Sequence, residues 1–274
     1  AGKTFHMLPD RLSTDLTSLN YNEDRSAIVI DMVINDSGDI QSSAIYAALV
    51  RNQAKLAYKR VAAWLEAKGN VADESLNAVS GLEENLRIQD NAAQKLRARR
   101  HERGALELQT LEARPIFAGD EIQDLELDEP NRAKGIIEDF MIAANDVTAR
   151  FLHSKNALFF RRVVRIPKRW DRIVEIAAEY KTKLPKEPEA RALARFLAER
   201  KGADPLRFPD LSLTIIKLLG SGEYVVELPH KLAPGHFGLA VKNYTHSTAP
   251  NRRFPDLLTQ RILKATLSGS SLPY

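Results

Sequence analysis

Residues 26–34 (SAIVIDMVI) are apolar on both alternating faces, which predicts a strand buried in the centre of a sheet. The turn formers Asn35, Asp36, Ser37, Gly38 and Asp39 predict a reversal, with residues 40–46 returning antiparallel. The period then changes. Tyr58, Val61 and Leu65 share one face of a helix predicted over 52–68, with Gly69 past its end. A longer helix is predicted to begin at Asp73, Glu74 and Ser75, because Leu76, Val79, Leu82, Leu86, Ala93 and Leu96 keep helical spacing before Gly104. Residues 105–117 and 121–127 read as two strands around Gly119 and Asp120. A helix follows over 131–152, with Ile137, Phe140, Met141, Ala144, Val147 and Phe151 as its buried stripe. Residues 159–178 predict a strand, a proline break and a helix with Trp170, Ile173, Val174 and Ala177 inward. Short helices near 187–201 and 210–219 and a strand over 223–228 come next. In the last third, Phe237, Leu239 and Val241 alternate as in a strand, and Pro255 suits the first turn of a helix bearing Leu257, Leu258, Ile262 and Leu263. The first twenty residues read as a surface loop. No repeat or long linker interrupts this order, so one mixed α+β domain is expected over 1–274, with mixed or antiparallel sheets flanked by helices.

Composition narrows the possibilities modestly. At 274 residues with 44% hydrophobic and 28% charged content, the chain suits a soluble globular protein. It has no cysteine, which excludes disulfides and thiolate metal sites and fits a reducing cytosol. No signal pattern opens it, and its longest apolar run, 27–34, is broken by Asp31, so no membrane span is expected. The formal net charge of +4 leans toward an anionic partner such as nucleic acid.

Candidate chemistry concentrates in a few places. A polar turn from His246 to Asn251 runs into Arg252 and Arg253 beside a helix start, where permanently charged forks and unpaired N–H groups can receive a phosphate. Glu138 and Asn145 lie seven residues apart on one side of a helix; they are either exposed or line a pocket. Lys95, Arg97, Arg99, Arg100 and Arg103 either complement a helix dipole as a solvated face or bind phosphate. The acidic residues Asp120, Glu121, Asp124, Glu126, Asp128 and Glu129 are too scattered for a metal site and read as a solvated edge. No Walker-type glycine loop, G-x-S-x-G elbow or H-E-x-x-H pair occurs, and the six histidines share no ligand-like spacing. These are binding groups without a complete catalytic centre.

Five motifs in order resemble the catalytic domain of the ribonuclease II / ribonuclease R (RNB) family of hydrolytic 3′→5′ exoribonucleases. His6-Met7-Leu8-Pro9-Asp10-Arg11-Leu12-Ser13 with Thr17-Ser18-Leu19 is similar to its M-L-P-x-x-L-S…C-S-L, Lys55-Leu56-Ala57-Tyr58 to K-L-x-Y, and Arg103-Gly104-Ala105-Leu106 to R-G-A-L. Residues 137–145 (IEDFMIAAN) resemble I-E-E-x-M-I-x-A-N, and residues 236–256 resemble H-F-G-L…Y-x-H-F-T-S-P-I-R-R-Y-x-D. The resemblance implies that Arg252 grips the phosphate next to the scissile bond, Glu138 contacts the terminal ribose, and Tyr58 meets RNA toward its 5′ side. Arg253 is implied as a second phosphate contact or a structural partner. His246, Asn145, Arg99 and Arg100 complete the expected RNA-binding set. Single-stranded RNA is the implied partner and Mg²⁺ the implied cofactor, with a monomer expected. The family's Mg²⁺-binding aspartates lie upstream of M-L-P, so no metal ligand is expected among these residues. A domain truncated at both ends, without the flanking OB-type domains and inactive alone, is the expectation. Leu108 stands where some members place an aromatic, and Ala249 and Asn251 replace the usual Ser and Ile. A non-catalytic RNA-binding scaffold on a degenerate RNB fold is the alternative.

Overall fold

The computed structural model describes residues 5–67, 76, 78–111, 113–119, 121–127, 130–228 and 235–274. Strand β1 (Asp24–Ile34) pairs antiparallel with β2 (Ile40–Arg51) in register from Asp24 opposite Arg51 to Val33 opposite Ser42. The turn between them closes as its residues predict: Asn35 Oδ1 accepts from the Asp39 amide at 2.9 Å, and Gly38 takes φ +76°. A Cβ on Gly38 would stand 2.2 Å from the Lys95 carbonyl oxygen, so this turn docks where only glycine fits.

Helices α1 (Tyr58–Glu66), α2 (Leu82–Glu102) and α3 (Arg132–Ser154) pack together around Trp64, Leu76, Leu86, Ala93 and Ile136. Between α2 and α3 stands a hairpin, β3 (Ala113–Ala118) against β4 (Glu121–Leu127). Strand β5 (Phe159–Val163) pairs antiparallel with β6 (Glu223–Glu227). Helices α4 (Trp170–Glu179), α5 (Ala190–Ala203) and α6 (Phe208–Leu219) form a second core around Ile173, Leu193, Phe196, Leu197 and Ile215. A third core joins the end of α3 and β5 to the last helix, α7 (Phe254–Ser268), through Leu152, Phe159, Ile262 and Leu263, with Ile28 and Ile45 of the first sheet laid on it. Each buried Leu, Ile or Phe contributes on the order of 1.5–3 kcal/mol relative to exposure. Mixed helix and strand content with small antiparallel sheets is therefore the architecture. No described helix is long and apolar enough to cross a membrane.

Five expectations change. Strand β1 is not buried in the centre of a sheet: its sheet has two strands, one face only partly covered by the third core, and none of its residues is fully buried. Helix α1 starts at Tyr58 rather than 52, because Asn52 is tied to the Leu19 carbonyl at 2.8 Å and caps the Ala54 amide at 3.1 Å, which holds 52–57 out of the helix. Residues 105–111 form no strand; Leu106 donates to the Gly238 carbonyl at 2.9 Å and packs with Leu108 against the second core. Residues 237–241 form no strand either. Phe237–Leu239 is a short 3₁₀ turn, set by His236 Nδ1 accepting from the Leu239 amide at 3.1 Å and by Ala240 at φ +51°. On α3 the buried side is not the predicted stripe: Ile137 is 42% exposed while Ile136, Asp139, Ile142, Ala143, Asn145 and Thr148 are buried. The predicted start of the second helix at Asp73, Glu74 and Ser75 lies outside the described residues.

Candidate functional site

The turn bearing the two arginines is set by what its backbone lacks. Residues 244–251 thread between α3, β5 and α7, with the Arg162 amide of β5 donating to the Tyr244 carbonyl at 2.9 Å, and Tyr244, Thr245, Ser247 and Ala249 are buried. Buried amides and carbonyls need partners, and from Ser247 onward side chains supply several of them. Asn145 Oδ1 on α3 accepts from the Ser247 amide and hydroxyl, each at 2.9 Å, and Gln260 on α7 donates to the Ser247 carbonyl at 2.6 Å. Asp256 in the first turn of α7 accepts from the Ala249 amide at 2.9 Å. The chain then turns, with the Arg252 and Arg253 amides both donating to the Ala249 carbonyl.

The adjacent arginines have opposite surroundings. Arg253 donates to Asp256 at 2.6 Å and to the Thr248 hydroxyl at 3.2 Å. Arg252 is exposed, and among the described residues its side chain has no hydrogen bond or ion pair. Its fork is available to an anion.

A cleft of about 910 Å³ opens between α2, α3 and the 105–111 run. Leu106, Leu108 and Leu239 give it an apolar side, and Glu138 and Lys134 project from α3. Glu138 is exposed and forms no hydrogen bond or ion pair among the described residues. Next to it, Asp139 is 2% exposed and held by Arg97 at 3.1 Å and by Arg100. Burial pushes the Asp139 carboxyl above its ordinary value, with the two guanidinium charges pulling the other way. Gly135 lets Arg97 lie close over α3, since a Cβ there would come 2.7 Å from Arg97 Nη2.

Tyr244 lies behind both features. Its hydroxyl accepts from Asn145 at 3.4 Å, and burial raises its pKa against the charges of Arg253 and Arg100. The rings of His236 and His246 stand edge-on to it, each with centroids 5.5 Å away. Both imidazoles are pushed down to about 4: burial dominates each, helped by the charge of Arg162 at His236 and of Arg253 at His246. His246 Nδ1 also meets the Tyr224 hydroxyl at 2.7 Å, and Arg162 lies over the Tyr224 ring at 5.1 Å.

The expected site residues thus separate. Glu138 and Arg100 line the cleft, while Arg252 does not. Asn145 is 2% exposed and faces the interior, holding the 247 turn. Arg99 is committed to Asp39 at 2.9 Å and Glu102 at 3.0 Å, closing α2 on the β1–β2 turn. Tyr58 is half exposed at the start of α1. Sequence reasoning offered Arg97 as a solvated or phosphate-binding cation, whereas it pairs with Asp139, and gave no role to Asp139, Tyr244 and Asp256. Asp256 was findable: it falls three residues after Arg253 in the first turn of a helix, within reach of that side chain. Among the described residues no group of three or more His, Asp or Glu side chains could hold a metal ion. Glu121 and Asp124 are exposed on the β3–β4 hairpin and Glu126 pairs with Lys59 at 3.1 Å; Asp120, Asp128 and Glu129 lie outside the described residues.

Comparison with known proteins matches residues 1–269 to the model of the RNB domain. Ribonuclease R of Aquifex aeolicus is 31% identical over 280 residues, covering 99% of this chain and 38% of the relative. RNase R of Mycoplasma genitalium, solved with double-stranded RNA, aligns with TM-score 0.81 at 25% identity over 95% of this chain and 45% of that one. Yeast Ssd1, a pseudonuclease, shares the fold with TM-score 0.70 at 18% identity, over 98% of this chain and 32% of that one. The chain thus spans less than half the length of each of these three proteins.

Proposed function

We propose, because this chain belongs to the RNB domain family, that it forms the catalytic-domain portion of a 3′→5′ hydrolytic exoribonuclease that takes single-stranded RNA and releases nucleoside 5′-monophosphates. The observation that carries this reading is the unpaired Glu138 carboxylate on the wall of a 910 Å³ cleft that Leu106, Leu108 and Leu239 line together with the cations Arg97, Arg100 and Lys201. That volume lies within the range of about 300–1,000 Å³ usual for small-molecule sites. A terminal nucleotide fits its chemistry: the base lies against Leu106 and Leu108, and the ribose 2′-hydroxyl donates to Glu138, which favours RNA over DNA. Leu108 gives contact without ring stacking, so the hold on the base is apolar rather than aromatic. Arg252 presents its free fork to a backbone phosphate and stabilises the charge that develops there as water adds to phosphorus and the bond to the O3′ of the preceding nucleotide breaks, so that the phosphate leaves on the 5′ oxygen of the terminal nucleotide. Tyr58 offers an exposed ring to a base further toward the 5′ end.

Mg²⁺ is the proposed cofactor, supplying a site for the attacking water when bound. The described residues offer no metal-binding cluster, so its ligands are assigned outside them. Neutral His246 and the committed Arg253 and Arg99 are proposed as supports of the site rather than phosphate contacts. The test uses the complete protein on 5′-labelled single-stranded RNA. Products shortening by one nucleotide at a time from the 3′ end are expected. RNA that is bound but left intact would overturn the reading in favour of a non-catalytic RNA-binding protein on the same fold.

A further inference from the structure

Two neighbouring arginines would compete for the same phosphate unless something separated them. Asp256 does so. It is fully buried, and its Oδ1 accepts both from the Ala249 amide at 2.9 Å and from Arg253 Nη2 at 2.6 Å. One carboxylate therefore clasps the beginning of the turn and its far end, while Arg252 between them stays exposed and unpaired. The clasp has a second anchor two residues upstream, where Asn145 and Gln260 fix the Ser247 amide and carbonyl. Among the described residues the segment's contacts with strand β5 end at Tyr244 and Thr245, so from Ser247 onward these side chains set where the Arg252 backbone lies.

We propose that Asp256 is a positioning residue: it tethers Arg253, closes the 249–253 turn, and so aims the Arg252 fork at the phosphate. The assignment rests on the reading of Arg252 given above. Asp256 itself does not touch substrate. Its loss frees Arg253 and lets the turn open by about the distance at which a reacting group loses its alignment, roughly 1 Å for a 100-fold loss of rate.

The experiment compares Asp256→Asn, Arg252→Ala and the double variant in the complete protein, by single-turnover cleavage of single-stranded RNA and by RNA Kd. Asp256→Asn is expected to slow cleavage about 100-fold while Kd changes less than about 3-fold. The double variant is expected to be no slower than Arg252→Ala alone, since both act through one group. Multiplying losses would overturn the proposal. Amide hydrogen exchange at Ala249, Arg252 and Arg253 is read in parallel and does not depend on activity; faster exchange in Asp256→Asn supports the clasp and unchanged exchange overturns it. If the unaltered protein leaves RNA intact while exchange rises, the functional reading has failed and the clasp stands. Should Asp256→Asn fail to fold, Gln260→Ala removes one anchor; a smaller slowing with unchanged Kd is expected, and an unchanged rate counts against the proposal.

Discussion

Arg252→Ala and Arg253→Ala, one residue apart, should fail in opposite ways. Arg252 is exposed and has no partner in the fold among the described residues, so its truncation should change stability by no more than about 0.5 kcal/mol. On the function proposed above, the same truncation in the complete protein removes a charged donor to the reacting phosphate, an interaction of the kind that costs about 10²–10³ in rate. RNA affinity should fall much less, because contacts elsewhere along the backbone persist. Arg253→Ala instead leaves the fully buried Asp256 without its cation. Breaking a buried pair by removing one partner costs about 3–5 kcal/mol. The Arg253 side chain is 34% exposed, and solvent screening brings the figure to roughly 2–4 kcal/mol. For a domain of this size that is a fall in Tm on the order of 5–10 °C. Thermal melts and single-turnover cleavage of both variants separate the two effects. A melt of Arg252→Ala as low as that of Arg253→Ala would refute the division of labour, as would equal losses in rate and RNA affinity for Arg252→Ala.

Other predictions follow from the same contacts. Glu138→Ala should narrow the rate difference between RNA ending in a ribonucleotide and RNA ending in a 2′-deoxynucleotide; an unchanged ratio removes Glu138 from sugar recognition. Gly38→Ala places a methyl 2.2 Å from the Lys95 carbonyl oxygen at φ +76°, so a loss of about 2 kcal/mol or more is expected, and a chemical-denaturation midpoint near wild type would contradict that docking. His236 and His246 are held near 4 against an ordinary 6.5 by burial and by Arg162 and Arg253, with Tyr224 as the hydrogen-bonding neighbour of His246. The unfolded chain then binds more protons between those values, so their contribution is complete above about pH 6.5 and is lost as pH falls toward 4. Tm should already decline between pH 6.5 and 5, before most carboxylates titrate; a flat profile there would show that the rings are not held neutral.

Local patterns were readable where one residue's preference decides the outcome. The Asn35-to-Asp39 turn and Pro255 at the start of α7 appear as the sequence implies, whereas the two-faced apolar run of β1 is a strand but not a central one, since its sheet has two strands and none of its residues is fully buried. The face of α3 was not readable, because its second half is buried on several sides and periodicity marks one stripe at a time. Residues 105–111 alternate like a strand, but alternation records which side chains are covered and not whether a neighbouring strand exists. The site divides similarly. Arg252 is legible as one of two adjacent arginines beside a helix start, and Glu138 as a carboxylate bordering an apolar stripe. That Arg253 is a tether and Asn145 a buried bracket depends on Asp256 and Ser247, and the Asn145–Ser247 contact spans 102 residues. Spacing along one chain cannot report such a meeting.

The central claim is that the cleft beside Glu138 holds the 3′-terminal nucleotide. Photocrosslinking with single-stranded RNA carrying 4-thiouridine at its 3′ end tests this directly. The account predicts a crosslink within residues 106–111 or on α3 around Glu138, lost when the same label is moved to the 5′ end. A 3′-terminal crosslink on a different face, with the 105–111 run unlabelled, would contradict it.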